Sequence, residues 1–224
     1  HDPLTSLNPL YTIGEQLIET IRTHADVGEA QARAKAIALL DEVGISAAAK
    51  RIGAYPHEFS GGMRQRVVIA LAMAAGPELV IADEPTTALD VSVQAQIIAL
   101  LKRTCREHGA AVILITHDMG VIAETADRVA VMYAGRIVES GGAADVLGRP
   151  RHPYTVGLLG SSPRKAQRGV RLTTIPGTVP PPGARGQGCS FAGRCNRMLP
   201  RCTSERPDLA GDAGHAAACW NPVS

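Results

Sequence analysis

Three short segments carry side chains whose types and spacing could handle a triphosphate. Ser60-Gly61-Gly62 offers a hydroxyl and unobstructed backbone N–H groups at a helix start, where the helix dipole presents positive charge, and that suits a phosphate. Asp83 and Glu84 end the apolar run Leu79-Val-Ile-Ala82, so the pair would emerge at the carboxyl edge of a sheet, where α/β proteins place ligands. One carboxylate can hold Mg2+ and the other can handle water. His117 follows a second apolar run, Ile113-Leu-Ile-Thr116. Each feature has a bland alternative: a capped turn, a strand-end acid pair, a hydrogen-bonded surface or core histidine. What raises them above it is their occurrence in one order, with Thr86-Thr-Ala-Leu-Asp90 between the carboxylates and the histidine.

A loop that grips the nucleotide is not among these residues. A P-loop needs Gly-Lys-Ser/Thr, so that a glycine-rich turn wraps the phosphates and the lysine reaches the outer ones. The lysines are Lys35, Lys50, Lys102 and Lys165, and none follows a glycine. The expectation is a chain truncated on its N-terminal side, inactive alone, that carries the hydrolytic and partner-facing parts of an ATPase.

The elements that must position these residues follow from hydrophobic periodicity. Asp2 to Pro9 reads as a loop, because two prolines and an Asn-Pro signal leave no room for a regular element. Ile13, Leu17 and Ile21, then Ala36, Leu39, Leu40 and Val43, recur at helical spacing, so residues 10–58 form a small helical insert. Ser60 caps a helix through Val67, Ala70, Leu71 and Ala74 that Gly76-Pro77 breaks. Leu79–Ala82 and Ala111–Ile115 have the length of buried strands. Between them Val91–His108 is a helix with Val93, Ile97, Leu101 and Cys105 on one stripe, closed by Gly109. This alternation implies α/β organisation around a parallel sheet. Arg128–Tyr133 and Arg136–Glu139, joined through Ala134-Gly135, read as a hairpin.

Charge divides the chain. Residues 1–148 carry 12 Lys/Arg against 18 Asp/Glu, residues 149–224 carry 11 against 3, and ten of the fifteen prolines lie in that basic tail. Little long helix or sheet is expected there. The domains read as 1–59, a segment with the helical insert; 60–148, the core; and 149–224, a C-terminal extension. No apolar run approaches the ~20 residues that span a bilayer. The polar, proline-containing residues 1–12 are not read as a secretory leader.

In order and spacing the motifs resemble those of the ABC transporter ATPases, a RecA-like fold. Phe59 to Met63 is similar to the family's signature motif, Val80 to Glu84 to its Walker B motif, Ala88 to Asp90 to its D-loop, and His117 to its switch histidine. Two departures stand out. His1 occupies the place of the Q-loop glutamine, and Met63 replaces the usual signature glutamine. The resemblance implies that Asp83 binds Mg2+ through water, that Glu84 orients or deprotonates the attacking water, and that His117 contacts the γ-phosphate. Ser60, Gly61, Gly62 and Gln65 would be nucleotide-binding residues, and Asp90 would line the interface with a second ATPase subunit, whose P-loop holds the ATP that Ser60–Gly62 contact.

The tail narrows the resemblance. His152-Pro-Tyr-Thr155, the proline-rich Ile175–Gly183 and Cys189, Cys195, Cys202 and Cys219 resemble the C-terminal extension of oligopeptide and dipeptide importer ATPases. In some members that extension binds a four-iron cluster, whose charge Arg185, Arg194, Arg197 and Arg201 would offset here. Zinc, two disulfides or four unligated thiols stay open, although the spacing lacks the C-x2-C pair of most structural zinc sites. Anionic lipid is a weaker fit for scattered arginines. Cys105 is set aside as a core residue.

As a whole the resemblance implies an ATP-hydrolysing subunit of a peptide importer, peripheral on the cytoplasmic face of the cell membrane. Its partners would be two permease subunits and an extracytoplasmic peptide-binding protein, with no nucleic acid. Two rivals remain. A non-catalytic, metal-bearing assembly or redox module would account for the tail, and a chromosome-maintenance or mismatch-repair ATPase would share the motifs. Against the latter stand the short helical insert and the absence of coiled-coil heptads.

Overall fold

The computed structural model describes residues 3–87, 89–161, 174–181, 183, 186–212 and 214–223. His1, Asp2, Ala88, Lys165, Pro182 and Arg185, which figured above, lie outside them. The chain divides into two compact units, one up to His117 and one from Asp118 onward.

The first unit begins with α1 (Pro3–Ser6), a single helical turn where a loop was expected. Prolines bracket this turn without interrupting it: Pro3 is its first residue, where its fixed φ suits a helix and its missing N–H costs nothing, and Pro9 comes after its end. The insert is helical as its spacing predicted, with α2 (Ile13–His24), α3 (Glu29–Glu42) and the short α4 (Ala48–Arg51). Thr12 and Glu15 close a reciprocal capping box at the start of α2. Ile13, Leu17 and Ile21 are fully buried against α3 and α5 (Gly61–Ala74), each contributing about 1.5–3 kcal/mol of hydrophobic stabilisation. Gly14 is obligatory at its position. Its N–H donates to Ile52 O at 2.7 Å, and a Cβ there would sit 2.6 Å from the same oxygen.

The strand–helix–strand unit is β1 (Leu79–Asp83), α6 (Val91–Glu107) and β2 (Ala111–Ile115). The two strands pair in parallel, with Asp83 opposite Ile115. Ile97, Leu101 and Cys105 are buried on the predicted stripe of α6. The strands are less buried than their apolar sequence implied: β1 encloses Val80 and Ala82 but leaves Ile81 62% exposed, and Ile113 of β2 is 49% exposed. Val80 and Ala82 join the first unit's core, and the alternate residues fall on the opposite face of the sheet, which the described residues leave open.

Polar links fix the helices of this unit to one another. Arg66 of α5 donates from one guanidinium to Val43 O (2.8 Å), just past α3, and to Gln96 Oε1 (3.2 Å) on α6. Glu42 at the end of α3 meets His108 Nε2 at 3.0 Å.

The second unit contains α7 (Met119–Thr125), the hairpin β3 (Arg128–Tyr133) and β4 (Arg136–Gly142), α8 (Ala143–Gly148), α9 (Pro153–Gly160), and two short tail strands, β5 (Ala210–Gly211) and β6 (His215–Ala217). Its sheet order is β3-β4-β6-β5, all antiparallel, so the tail supplies half the strands. Glu139 is buried beneath this junction. It accepts from the N–H groups of Arg151 (2.6 Å) and His152 (2.9 Å) and pairs with His215 Nε2 at 2.7 Å, joining β4, the start of α9 and β6.

Candidate functional site

The carboxyl edge of β1 carries the acidic pair, as its apolar run required. Asp83 is the last strand residue and Glu84 the first beyond it. Glu84 adopts a left-handed backbone with φ 44°, a conformation that costs a non-glycine residue about 1–3 kcal/mol. Local contacts hold it there: its N–H donates to Ile115 O (2.9 Å) and its carbonyl accepts from Thr87 N (3.2 Å). Its carboxylate is engaged at both oxygens, Oε1 by His117 Nδ1 at 3.1 Å and Oε2 by Thr87 Oγ1 at 3.1 Å. The bond from His117, then that from Thr87, holds the Glu84 carboxyl below its ordinary pKa, because both favour the ionised form. Glu84 and His117, 33 residues apart in sequence, thus form one pair on the exposed edge of the sheet.

The second cluster is built on two helix starts. Ser60 caps α5, its hydroxyl accepting from Met63 N at 3.4 Å, and Asp90 caps α6, its Oδ1 accepting from Val93 N (2.9 Å) and Ser92 Oγ (2.6 Å). These starts pack together. A Cβ on Gly61 would meet Leu89 Cδ2 at 3.7 Å, and one on Gly62 would meet Val93 Cγ1 at 3.0 Å. Gly62 therefore has a packing reason in addition to the phosphate approach read from sequence. Met63, in the place of the usual glutamine, lies partly buried against the core, with its sulfur 3.7 Å from the Arg51 guanidinium.

Gln65 is placed elsewhere than expected. The helical period carries it onto the inward stripe of α5 with Ile69 and Met73, and it is 2% exposed. It lines a cavity of about 50 Å3 with Ala82, Pro85 and Leu101, and its Oε1 has no hydrogen-bond partner among the described residues. Thr87 and Val93 are the residues whose roles sequence reasoning missed. Thr87 lay three positions after Glu84 inside a quoted motif, and a hydroxyl at that spacing in a turn is the signal that could have found it.

In the second unit the cysteine thiols sense one another electrostatically, Cys219 with Cys195, Cys189 and Cys202. Burial pushes the thiols of Cys189, Cys195 and Cys219 up. Cys195 Sγ accepts from Arg197 N and Cys219 Sγ from Asn221 N, both at 3.4 Å. No group of three His, Cys, Asp or Glu side chains is arranged to hold a metal among the described residues. The arginines expected to offset a cluster are mostly engaged elsewhere. Arg194 donates to Pro176 O and Tyr133 OH, Arg197 to Asn221 and Pro222 O, and Arg201 stacks 3.5 Å over Trp220 and pairs with Glu205. Arg197 also favours the thiolate of Cys195.

Residues 3–87 match the ABC transporter family, and residues 138–202 match the oligopeptide/dipeptide transporter C-terminal region. A protein of Brucella melitensis named as a peptide import ATP-binding protein is 49% identical over 100% of this chain and 69% of its own length. The chain belongs to the ATP-binding subunits of the ABC peptide-transporter family. Two oligopeptide transport ATP-binding proteins named OppD are also similar to this ABC subunit. That of Salmonella typhimurium is 49% identical over 99% of this chain and 66% of its own length, and that of Mycobacterium tuberculosis 53% identical over 97% and 36%. Among solved structures, cbiO1 from Clostridium perfringens, described as part of the ABC transporter complex cbiONQ, superposes with TM-score 0.58 at 27% identity. It covers 66% of this chain and 57% of that one. The dimeric ABC transporter cassette MJ0796 superposes with TM-score 0.53 at 29% identity over 61% and 59%. The ABC subunit thus spans between about a third and about two thirds of the relatives named here. No described helix is long and apolar enough to cross a membrane.

Proposed function

We propose that this chain supplies the signature, Walker B, D-loop and switch-histidine surfaces of an ATPase that powers oligopeptide or dipeptide import. The observation that carries the reading is the Glu84–His117 pair at the carboxyl edge of a parallel β1–β2 sheet. Phosphoryl transfer needs positioning and electrostatic stabilisation more than covalent help. Glu84 positions the attacking water and His117 reaches the γ-phosphate; Asp83 would hold Mg2+, which would supply charge neutralisation at the phosphates. Ser60, Gly61 and Gly62 serve an ATP gripped by a second subunit, and Asp90 lines the shared interface. The dimeric cassette among the structural neighbours supports that arrangement. The names of the relatives support peptide as cargo, and with it permease subunits, an extracytoplasmic binding protein and a peripheral position at the membrane.

The test joins a Gly-x4-Gly-Lys-Ser/Thr segment upstream of the chain and measures ATP turnover with the partner subunit present. Turnover is expected, with Glu84→Gln reducing it by at least about a hundredfold, in line with loss of a water-positioning group. A joined protein that stays inert, or an E84Q protein that turns over normally, overturns the assignment.

For the tail, an iron–sulfur cluster on Cys189, Cys195, Cys202 and Cys219 rests on the family resemblance alone, since among the described residues no three such side chains are arranged to hold a metal. Iron, sulfide and zinc analysis after anaerobic purification decides it, and a folded, metal-free tail counts against ligation.

A further inference from the structure

The Glu84 carboxylate has a second partner. Thr87 is exposed, yet its hydroxyl turns back to Glu84 Oε2 at 3.1 Å, while its own N–H closes the turn onto Glu84 O at 3.2 Å. His117 occupies Oε1 and Ile115 O holds the Glu84 N–H, so the residue is gripped at the main chain and at both carboxylate oxygens. An exposed carboxylate left to itself would sample several rotamers. Here the turn that forces Glu84 to positive φ also brings the hydroxyl that fixes its head group.

We propose that Thr87 is a positioning residue for hydrolysis, anchoring Oε2 so that the Glu84 head group stays aimed at the attacking water. The inference rests on the assignment of Glu84 to the hydrolytic step and deepens it. A carboxylate held at both oxygens is a better-oriented acceptor, because fewer rotamers stay open to it.

Two measurements test it. In the 224-residue chain, side-chain NMR scalar couplings report how many rotamers Glu84 samples with no nucleotide present. Thr87→Val keeps the side-chain shape and removes the hydroxyl, and should increase rotamer averaging at Glu84; Thr87→Ser should leave it unchanged. In the P-loop-bearing protein, T87V should lower kcat about tenfold with KM unchanged, and T87S should restore it. Unchanged rotamer averaging in T87V, or a T87S protein that behaves like T87V, overturns the positioning role. An E84Q protein with normal turnover overturns the parent assignment, and the mechanistic half of this proposal with it. The NMR arm reads the Thr87–Glu84 contact independently of turnover, so the two failures are distinguishable.

Discussion

Replacing Gly62 by alanine separates two reasons for a glycine at that position. The added Cβ would lie 3.0 Å from Val93 Cγ1, whereas carbon atoms rest at about 3.5–4.0 Å. Val93 stands in the first turn of α6, where a β-branched side chain has one strongly preferred rotamer, so relief must come from backbone movement between the two helix starts. Overpacking of this kind costs about 1–3 kcal/mol, and the gain in helix propensity from glycine to alanine offsets up to about 1 kcal/mol of it. The expected net effect of Gly62→Ala is therefore a destabilisation of about 1 kcal/mol. Val93→Ala makes room for the new methyl, so the double variant should be more stable than the sum of the single changes by about 1 kcal/mol. Urea denaturation of the four proteins, with hydrogen exchange of α5 amides to isolate the first unit, measures that coupling. Additivity within about 0.3 kcal/mol would refute the packing argument. If coupling is found, turnover of the P-loop-bearing double variant shows whether the phosphate also demands a bare backbone there.

Two further predictions concern the second unit. His152 is buried and its pKa is depressed by that burial to about 4, against an ordinary value of 6.5, with Glu139 opposing the shift. A depressed folded-state value means that the unfolded chain binds the proton more readily. Stability is therefore full above about pH 6.5 and falls as pH drops toward about 4, by about 3 kcal/mol in total; urea midpoints at pH 7 and 5 should differ, and less so in His152→Asn. Glu139→Ala leaves the buried His152 N–H, the part-buried Arg151 N–H and His215 without their acceptor and should destabilise this unit by about 3 kcal/mol, read as early exchange of the β4 and β6 amides.

Much of the site was legible because its parts are local. Ser60 as a cap, the stripe of Ile97, Leu101 and Cys105, and Asp83-Glu84 at the end of an apolar strand each follow from a few neighbouring residues, and periodicity reports them directly. The burial of Gln65 was missed because motif membership hides helical phase, whereas counting from Ile69 and Met73 puts it inside. The contact between Gly62 and Val93 could not be read, since it depends on how closely two helix starts approach. The one-turn helix at Pro3 was hidden by prolines that frame a helix as readily as they break one. The same limit applies to Glu139, whose partners lie 12, 13 and 76 residues away and belong to no periodic pattern.

The pairing of β4 with β6 has a consequence for biosynthesis. Residue 139 lies beside residue 217 in the finished sheet, so the ribosome must have made residue 217 before β4 gains that neighbour. Nascent chains stalled or clipped short of that point keep an unpaired β4 edge and a carboxylate without its histidine, the kind of exposed strand that invites pairing with other chains.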